Sequence, residues 1–292
     1  MNQKIKIEFI INPKSGTQQK AHLPDLIQSK INTDIFEITI SKTEYAGHAK
    51  ILAQNAAKKN IDIVAIAGGD GSINEAAAGL INSETSLAII PMGSGNGLAR
   101  HLGLPLSAEK AITRINSSNK KLIDTCLINN ETFVSASGVG FDGLVAHEFS
   151  KTKKRGIAKY VTISSQKFFG YKPRNYQLTV DGKSINTDAF MIAFANSQQF
   201  GSGLKIAPTA DLQDGLMHCC ILKPFGMLAG AKLLFDGFSG KLKSNAYYDL
   251  IDCKEATIQF PEDVHWQKDG EPMHYKNNVE VKINPKSLWV WM

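Results

Sequence analysis

The alternation of two hydrophobic periods along the first hundred residues constrains the fold more than any other feature of this sequence. Apolar runs of strand length occupy residues 4–11, 35–40, 61–67 and 86–90. A helical pattern follows each run, and the clearest one extends from Ile73 to Ile81 with i, i+3, i+4 spacing. Strands and helices that alternate through short links predict a parallel sheet covered by helices. Such a sheet binds ligands beyond the carboxyl ends of its strands.

The second half of the chain has a different pattern, because short β-like runs dominate after about residue 120. Asp-Gly pairs at 181–182 and 269–270 are typical of tight hairpin turns. Helical patterns interrupt these runs near residues 143–170 and 225–238. This part of the sequence therefore predicts a mostly antiparallel β-sandwich.

The length of 292 residues exceeds the usual size of a single domain. We predict an α/β domain at residues 1–122 and a β-rich domain at residues 123–292. We leave open that the last residues return to the first domain and that the chain forms a homodimer.

Cysteine usage and charge indicate the cellular setting. Four cysteines form no C-x-x-C pair, and the adjacent Cys219 and Cys220 are expected on opposite faces of a strand, as reduced buried thiols. No apolar stretch has the length of a membrane span, and the first residues lack the pattern of a signal peptide. We expect a soluble, cytoplasmic protein. Its net charge of +6 favours anionic partners such as nucleotides, nucleic acid or an acidic membrane surface.

The stretch "AIAGGDGSINEA", residues 65–76, follows the third apolar run and contains a lone acid between glycines. Glycines let a backbone turn sharply and approach a ligand, and a helix that begins at Ser72 would direct its N–H groups toward an anion. Asp70 beside a phosphate makes sense mainly with a metal ion or a substrate hydroxyl between them. Ser72 and Glu75 also match a capping box, which needs no ligand.

Two further loops of small residues belong to the same end of the predicted sheet. "NPKSG" at 12–16 follows the first strand, and "PMGSGNG" at 91–97 follows the fourth. Their backbone amides and the side chains of Ser15, Thr17, Ser94 and Asn96 are donors suited to phosphate oxygens. Three such loops together predict a phosphate cradle, whereas one alone is an ordinary link.

Two other nucleotide motifs are disfavoured. The chain contains no G-x-x-x-x-G-K-[ST] sequence and is therefore not a P-loop NTPase. "GVGFDG" at 138–143 matches G-x-G-x-x-G, but no acid lies between Glu148 and Asp181, where a dinucleotide site would need one.

Six segments, taken in order, resemble the motifs of the diacylglycerol kinase catalytic family. They are "NPKSG", "GGDGSINE", "PMGSGNGLAR", "GVGFD", "IAPTADLQDGLMHCCIL" and "DGEP", and they extend from residue 12 to residue 272. The family includes bacterial soluble lipid kinases and sphingosine kinases, and it is related to NAD kinases. The resemblance implies an α/β domain of the NAD kinase and diacylglycerol kinase type, followed by a β-sandwich.

The activity that the resemblance implies is transfer of the γ-phosphate of ATP to a lipid hydroxyl, such as that of diacylglycerol, in the cleft between two domains. Carried over by position, the nucleotide-binding residues are Asn12, Ser15, Gly16, Gly68, Gly69, Gly71, Ser72, Glu75, Gly93, Ser94 and Asn96.

The resemblance also implies roles for several acids. Asp70 would act through Mg²⁺ or on the acceptor hydroxyl, Glu271 would be the general base, and Asp142 would belong to the catalytic group. A metal site of bacterial members matches Asp211, Asp214 and Leu216. Taken without the family, Glu271 is a surface residue after a hairpin turn, Asp214 belongs to a turn, and Asp142 is a helix N-cap.

Several alternative functions remain open. Gly97 stands where diacylglycerol kinases usually have Asp, a pattern closer to sphingosine and ceramide kinases. An NAD kinase shares the "GGDG" loop but does not explain the "DGEP" segment. A nucleotide- and membrane-binding protein without catalytic activity is the alternative from a different class.

Residues 149–176 contain eight Lys or Arg residues and no acid, with six aromatic residues interleaved. Such a segment docks on an anionic bilayer through its charges and rings. The alternative is a solvated helix whose rings face its own core. We predict transient membrane contact through this segment, and no nucleic-acid partner.

Overall fold

The computed structural model describes residues 3–14, 22–152, 156–201, 203–260 and 264–292. The chain divides into two compact units. Unit 1 comprises Met1–Ile123 and Lys286–Met292, and unit 2 comprises Asp124–Pro285.

The elements of the first part of the chain alternate between strands and helices. They are β1 (Ile5–Ile11), α1 (Leu23–Lys30), β2 (Phe36–Lys42), α2 (His48–Lys58), β3 (Ile63–Gly68), α3 (Asp70–Leu80), β4 (Ser86–Pro91), α4 (Gly97–His101), α5 (Ala108–Ile115) and β5 (Lys120–Ile128).

The predicted parallel sheet of unit 1 is confirmed. Its strands lie in the order β2-β1-β3-β4, and each pairs with its neighbours in parallel. Phe9 of β1 packs in one cluster with Ile27 of α1 and Ile112 of α5. Ile10 and Ile66, on the alternate positions of their strands, are also fully buried. The strands are thus covered on both faces, which explains why they appear in the sequence as continuous apolar runs.

The second part of the chain contains most of the remaining strands and three helices among its described residues. They are β6 (Glu131–Phe133), β7 (Ala136–Gly140), α6 (Phe141–Ser150), α7 (Ile157–Phe168), β8 (Arg174–Val180), β9 (Lys183–Ala189), β10 (Met191–Ala195), β11 (Gln199–Gly201), β12 (Leu204–Lys205), β13 (Met217–Leu222), α8 (Met227–Ser239), β14 (Tyr248–Cys253), β15 (Glu255–Gln259), β16 (Val264–Lys268), β17 (Glu271–Tyr275) and β18 (Asn278–Trp291), with a 3₁₀ turn at Leu242–Ser244.

Unit 2 is the predicted antiparallel sandwich. One sheet has the order β14-β13-β10-β7-β16-β17, and strands β15, β8 and β9 form a second antiparallel ladder with the first part of β18. Phe194 and Trp266 from the first sheet share a core cluster with Ile258 and Val281 from the second.

The cysteines and the Asp-Gly turns lie as the sequence predicts. All four cysteines are free and buried. Cys219 belongs to the sandwich core, and Cys220 belongs to a second cluster with Phe190 and Leu233 of α8. Both Asp-Gly pairs have positive φ at both residues and close two-residue hairpins. Among the described residues, no helix combines the length and apolar character that a bilayer span requires.

Candidate active site

Asn12, which follows β1, and the two glycine loops that follow β3 and β4 meet at the carboxyl ends of these strands. Asn12 follows β1, and its side-chain amide donates to the hydroxyl of Ser72 in α3 at 2.7 Å. A Cβ on Gly93, after β4, would lie 2.9 Å from the Cα of Gly69, so the second and third loops touch through their backbones. The predicted convergence of the loops is therefore present. Ser15 and Gly16, also predicted to bind nucleotide, lie outside the described residues.

Asp70 joins the second loop to the third. Its carboxylate accepts hydrogen bonds from the backbone N–H groups of Asn96 at 2.9 Å and Gly97 at 2.8 Å. Burial raises the pKa of this carboxyl, and the hydrogen bonds from Gly97 and Asn96 and the charge of Arg100 partly oppose that rise. Asp70 therefore holds the start of α4, a role that neither its predicted contact with Mg²⁺ nor its predicted contact with a hydroxyl includes.

Hydrogen bonds between its own residues stabilise the third loop. Asn96 has the left-handed conformation, with φ of 53°, and its side chain both accepts from Gly93 N and donates to Gly93 O. Arg100 Nε donates to Gly95 O at 2.9 Å. Ser94 is exposed at the tip of the loop. Sequence reasoning missed Arg100, although it stands inside the quoted "PMGSGNGLAR" segment.

The helix after the second loop begins earlier than predicted. α3 starts at Asp70 with Gly69 as its N-cap, so Ser72 lies in its first turn and the predicted capping box is wrong. The first N–H groups of a helix have no acceptor within it, and here they adjoin Gly68, Gly69 and Gly71.

Glu75, predicted to bind nucleotide, is engaged elsewhere in unit 1. Its two carboxylate oxygens accept from Gly47 N at 2.8 Å and Ala49 N at 3.2 Å, at the start of α2. Acids at a helix N terminus are stabilising because they satisfy free amides and oppose the helix dipole. This contact accounts for the acid without a ligand.

Asp142 lies inside unit 2, in the first turn of α6, whose N-cap is Gly140 rather than Asp142. Its Oδ2 atom is buried with no hydrogen-bond partner among the described residues, and Tyr160 Oη lies 3.5 Å from Oδ1. Burial raises the pKa of Asp142 to about 6, although hydrogen bonds from Gln267 and Tyr160 lower it. Perturbed acids of this kind are common at functional sites.

Gln267 links Asp142 to the hairpin turn that precedes Glu271. Its side chain helps to lower the pKa of Asp142 and accepts a hydrogen bond from Gly270 N at 2.8 Å. Glu271 begins β17, is exposed, and lines a shallow depression with Ala146 and residues 149–150 of α6. The structure thus brings two of the predicted acids to one end of unit 2. Sequence reasoning missed Gln267, because a buried amide in a strand has no motif.

Asp269, which the sequence indicates only as a turn residue, is a structural centre of unit 2. Its buried carboxylate accepts from the backbone N–H groups of Val134, Ser135 and Ala136 at 2.8–3.0 Å. It therefore ties the "DGEP" turn to the segment that leads into β7.

The predicted metal residues Asp211, Asp214 and Leu216 lie in an exposed turn before β13. Asp214 Oδ1 accepts from Leu216 N at 2.9 Å, and Asp211 Oδ1 accepts from Gln213 N at 3.0 Å. Among the described residues, these acids do not join a third His, Cys, Asp or Glu at the spacing of a metal site. The metal site at this turn stays a prediction.

The glycines of "GVGFDG" serve packing rather than a dinucleotide. Strand β7 is antiparallel to both of its neighbours, so it is not part of a βαβ unit. A Cβ on Gly138 would lie 2.8 Å from Ile192 O and 3.1 Å from Asp142 Oδ2. These contacts agree with the rejection of the Rossmann motif.

Comparison with known proteins gives the family. Residues 6–128 match the diacylglycerol kinase catalytic domain, and residues 135–292 match the YegS C-terminal NAD kinase beta sandwich-like domain. The chain belongs to the diacylglycerol kinase family.

Curated members of the diacylglycerol kinase family align with nearly the whole chain. The "Probable lipid kinase YegS-like" of Chromohalobacter salexigens is 27% identical over 277 residues, which cover 92% of this chain and 88% of the relative. The "Diacylglycerol kinase" of Bacillus subtilis is 26% identical over 272 residues, covering 91% and 89%.

Solved structures show that the fold is that of the diacylglycerol kinase family. A diacylglycerol kinase from Bacillus anthracis has a TM-score of 0.76 at 21% identity, with 99% of this chain and 97% of that chain covered. An NAD kinase from Archaeoglobus fulgidus in complex with ATP has a TM-score of 0.57 at 10% identity, with 98% and 93% covered.

The contact between Gly69 and Gly93 predicts a cost for any side chain at position 93. In Gly93→Ala the new Cβ would meet the Gly69 backbone and Asn96 Oδ1, so we expect the free energy of unfolding to fall by about 1–3 kcal/mol. Urea denaturation measures this change. Gly170→Ala is the matched control, because its Cβ would enter open space. Equal stability of the two variants would show that the loops do not depend on this contact.

The raised pKa of Asp142 predicts a pH-dependent cost to stability. A folded-state pKa of about 6, above the ordinary 3.8, gives a contribution that is present below pH 4 and is lost as pH rises to 6. At pH 7, Asp142→Asn should therefore be more stable than the parent by up to about 3 kcal/mol. Urea denaturation at pH 4 and pH 7 tests this.

The exposed Asp34 provides the control for this comparison. Asp34→Asn should follow the parent protein at both pH values. If Asp142→Asn also follows the parent at pH 7, the carboxyl does not bear the cost of burial.

Proposed function

We propose that this protein is an ATP-dependent lipid kinase that transfers the γ-phosphate to a hydroxyl of diacylglycerol or a similar lipid alcohol. The observation that carries the proposal is that Asn12, at the end of β1, meets the glycine loops at the ends of β3 and β4. Phosphoryl transfer depends on positioning and charge neutralisation more than on covalent chemistry. These loops would position the phosphates.

The phosphate chain would bind at the start of α3. The N–H groups of its first turn lack acceptors within the helix, and the positive end of the helix dipole lies beside them. Ser72 belongs to this turn, and its hydroxyl accepts a hydrogen bond from the side-chain amide of Asn12 at 2.7 Å. Asp70 takes the amides of Asn96 and Gly97. Asp70 thereby shapes the third loop so that the exposed Ser94 can turn toward the phosphates.

ATP supplies the phosphoryl group, and Mg²⁺ neutralises its charge in reactions of this kind. The carboxylate of Asp70 keeps lone pairs beyond its two backbone contacts, which fits a water-mediated hold on Mg²⁺. The exposed Glu271 would accept the proton of the lipid hydroxyl. Asp142, with its pKa raised to about 6 by burial, would position the end of unit 2 that carries Glu271, acting through Gln267.

A lipid acceptor is supported by the names of the relatives. The proteins from Chromohalobacter salexigens and Bacillus subtilis are named as a lipid kinase and a diacylglycerol kinase. A sphingoid base is the second candidate acceptor, because the small Gly97 after Asn96 resembles the sphingosine and ceramide kinase pattern.

A water-soluble enzyme must reach a lipid, and we predicted contact through the basic segment 149–176. Most of its rings do not face solvent. Tyr176 is buried, and Phe168 packs against Phe190 and Phe225. Phe169, 76% exposed, is the one large aromatic of this segment that is well exposed among the described residues. Residues 153–155 lie outside the described residues.

Helix α8 offers a stronger apolar surface than the basic segment. Leu228 is 92% exposed, and Leu234, Phe235 and Phe238 are exposed along the same helix. Lys241 and Lys243 follow the helix and are also exposed. Exposed apolar side chains beside lysines fit an anionic bilayer, which receives the apolar groups and attracts the charges. We propose that α8 and Phe169 together form the membrane-binding face.

Phosphate transfer from labelled ATP to a panel of acceptors tests the proposed activity. The panel contains diacylglycerol, monoacylglycerol, sphingosine, ceramide and NAD. We expect a labelled lipid in the presence of Mg²⁺, with Glu271→Gln slower by about 10²–10⁴-fold, because a general base contributes that much. ATP affinity should be unchanged in this variant.

Glu255→Gln is the control, since Glu255 is also exposed at the start of a strand of unit 2. It should turn over at the parent rate. Labelled NAD alone would identify an NAD kinase, and no labelled product would favour a binding protein. Loss of ATP affinity in Glu271→Gln would remove its role as base.

Sedimentation with vesicles of phosphatidylglycerol tests the membrane-binding face. Leu228→Asp should weaken binding about 10- to 100-fold, because a large apolar side chain contributes about 1.5–3 kcal/mol when it leaves water. An acid in the first turn of α8 is compatible with the helix. Ile51→Asp, at an exposed apolar position of α2, should bind as the parent does. Equal binding of both variants would place the contact elsewhere.

A further inference from the structure

Three histidines of unit 2 form a cluster that the proposed function does not use. His147 lies on α6, His265 on β16 and His274 on β17. One ligating atom from each ring lies within 4.8 Å of the others. The ring centroids are 4.2 Å apart for His147 and His265, 5.1 Å for His147 and His274, and 5.0 Å for His265 and His274.

The hairpin β16–β17 places two of these rings side by side. His265 and His274 are direct partners in the antiparallel register. Partners in such a ladder project from the same face of the sheet. Trp266, the next residue, points to the opposite face and is fully buried in the sandwich core. The two histidines therefore lie on the face that α6 covers.

Gly143 brings the third histidine to the same place. A Cβ at this position would lie 2.1 Å from His265 O, so α6 rests directly on the backbone of β16. His147 is four residues later, on the same side of the helix. The close approach at Gly143 thus sets the ring of His147 over that of His265.

The rings are available as ligands. His265 Nδ1 is buried without a hydrogen-bond partner among the described residues. The imidazole of histidine is the commonest metal ligand among protein side chains.

We infer that His147, His265 and His274 form a binding site for a divalent transition-metal ion of the zinc type. Three imidazole nitrogens suit Zn²⁺, Co²⁺, Ni²⁺ or Cu²⁺, whereas Mg²⁺ and Ca²⁺ prefer oxygen ligands. Zn–N distances of about 2.0–2.1 Å place the nitrogens of a tetrahedral site about 3.4 Å apart, so binding requires the rings to rotate toward a common point. The fourth position belongs to water. This inference does not depend on the proposed kinase activity.

The consequence of binding is a link between α6 and the hairpin that carries Glu271. The ion would hold the helix and both strands together, since each supplies one ligand. Binding to the folded chain alone raises its thermal stability as metal concentration rises. The readout is therefore binding and stability rather than turnover.

Metal binding is tested on the full chain, purified without a histidine tag and freed of metal. After equilibration with zinc and removal of excess, elemental analysis should find about one zinc per chain. Cobalt should give the visible absorption bands of a tetrahedral site, and zinc should raise the Tm. His274→Gln, at an exposed position, should weaken zinc binding by more than the roughly 10- to 100-fold that loss of an outer-shell partner causes.

His22→Gln is the matched control, because His22 is exposed in unit 1. It should retain zinc and the rise in Tm as the parent does. His147→Gln is a second variant that removes a ligand from α6 instead of from the hairpin. A parent protein that retains no zinc, or zinc retention unchanged in His274→Gln and His147→Gln, would overturn the site.

Discussion

The carboxylate of Asp70 is the constraint on which the candidate site of unit 1 depends. It lies between the second and third loops and accepts the amides of Asn96 and Gly97. Asp70 is half-buried, and a carboxylate withdrawn from water is costly unless it is hydrogen-bonded, so this position favours the arrangement in which those two amides face it. The side chain therefore fixes the shape of the third loop, in addition to any role that it has in the reaction.

The fold was predictable because its signals are local. Strands buried on both faces appear as apolar runs, and Asp-Gly pairs with positive φ mark the hairpins. The contacts made by carboxylates could not be predicted from the sequence. Asp269 accepts amides more than 130 residues away, and Asp181 accepts those of Lys254 and Glu255. Both appear in the sequence as the first residue of a turn, and nothing local shows what such a side chain reaches.

The predicted phosphate-binding residues also differ in whether their contacts could be predicted from local sequence. Convergence of Asn12, Gly69 and Gly93 followed from the parallel sheet, because strand ends of one sheet meet at one edge. The contact of Glu75 did not follow, since the S-x-x-E pattern indicates a local cap while the helix begins at Asp70. The exposure of apolar side chains also did not follow from composition. The rings of the basic segment, apart from that of Phe169, are buried or half-buried, whereas most leucines and both phenylalanines of α8 are exposed although the helix resembles a core helix in sequence.

Helix α6 carries both Asp142 and His147, and one close contact with β16 positions both residues. Gly143 sets the helix on β16, Asp142 beside it meets Gln267, and His147 one turn later meets His265. Gln267 and His265 are alternate residues of the same strand. Because a helix moves as a rigid element over so few residues, a ligand that fixes His147 against His265 also fixes Asp142 against Gln267. The positions of the histidine cluster and of Asp142 therefore both depend on the packing of α6 on β16.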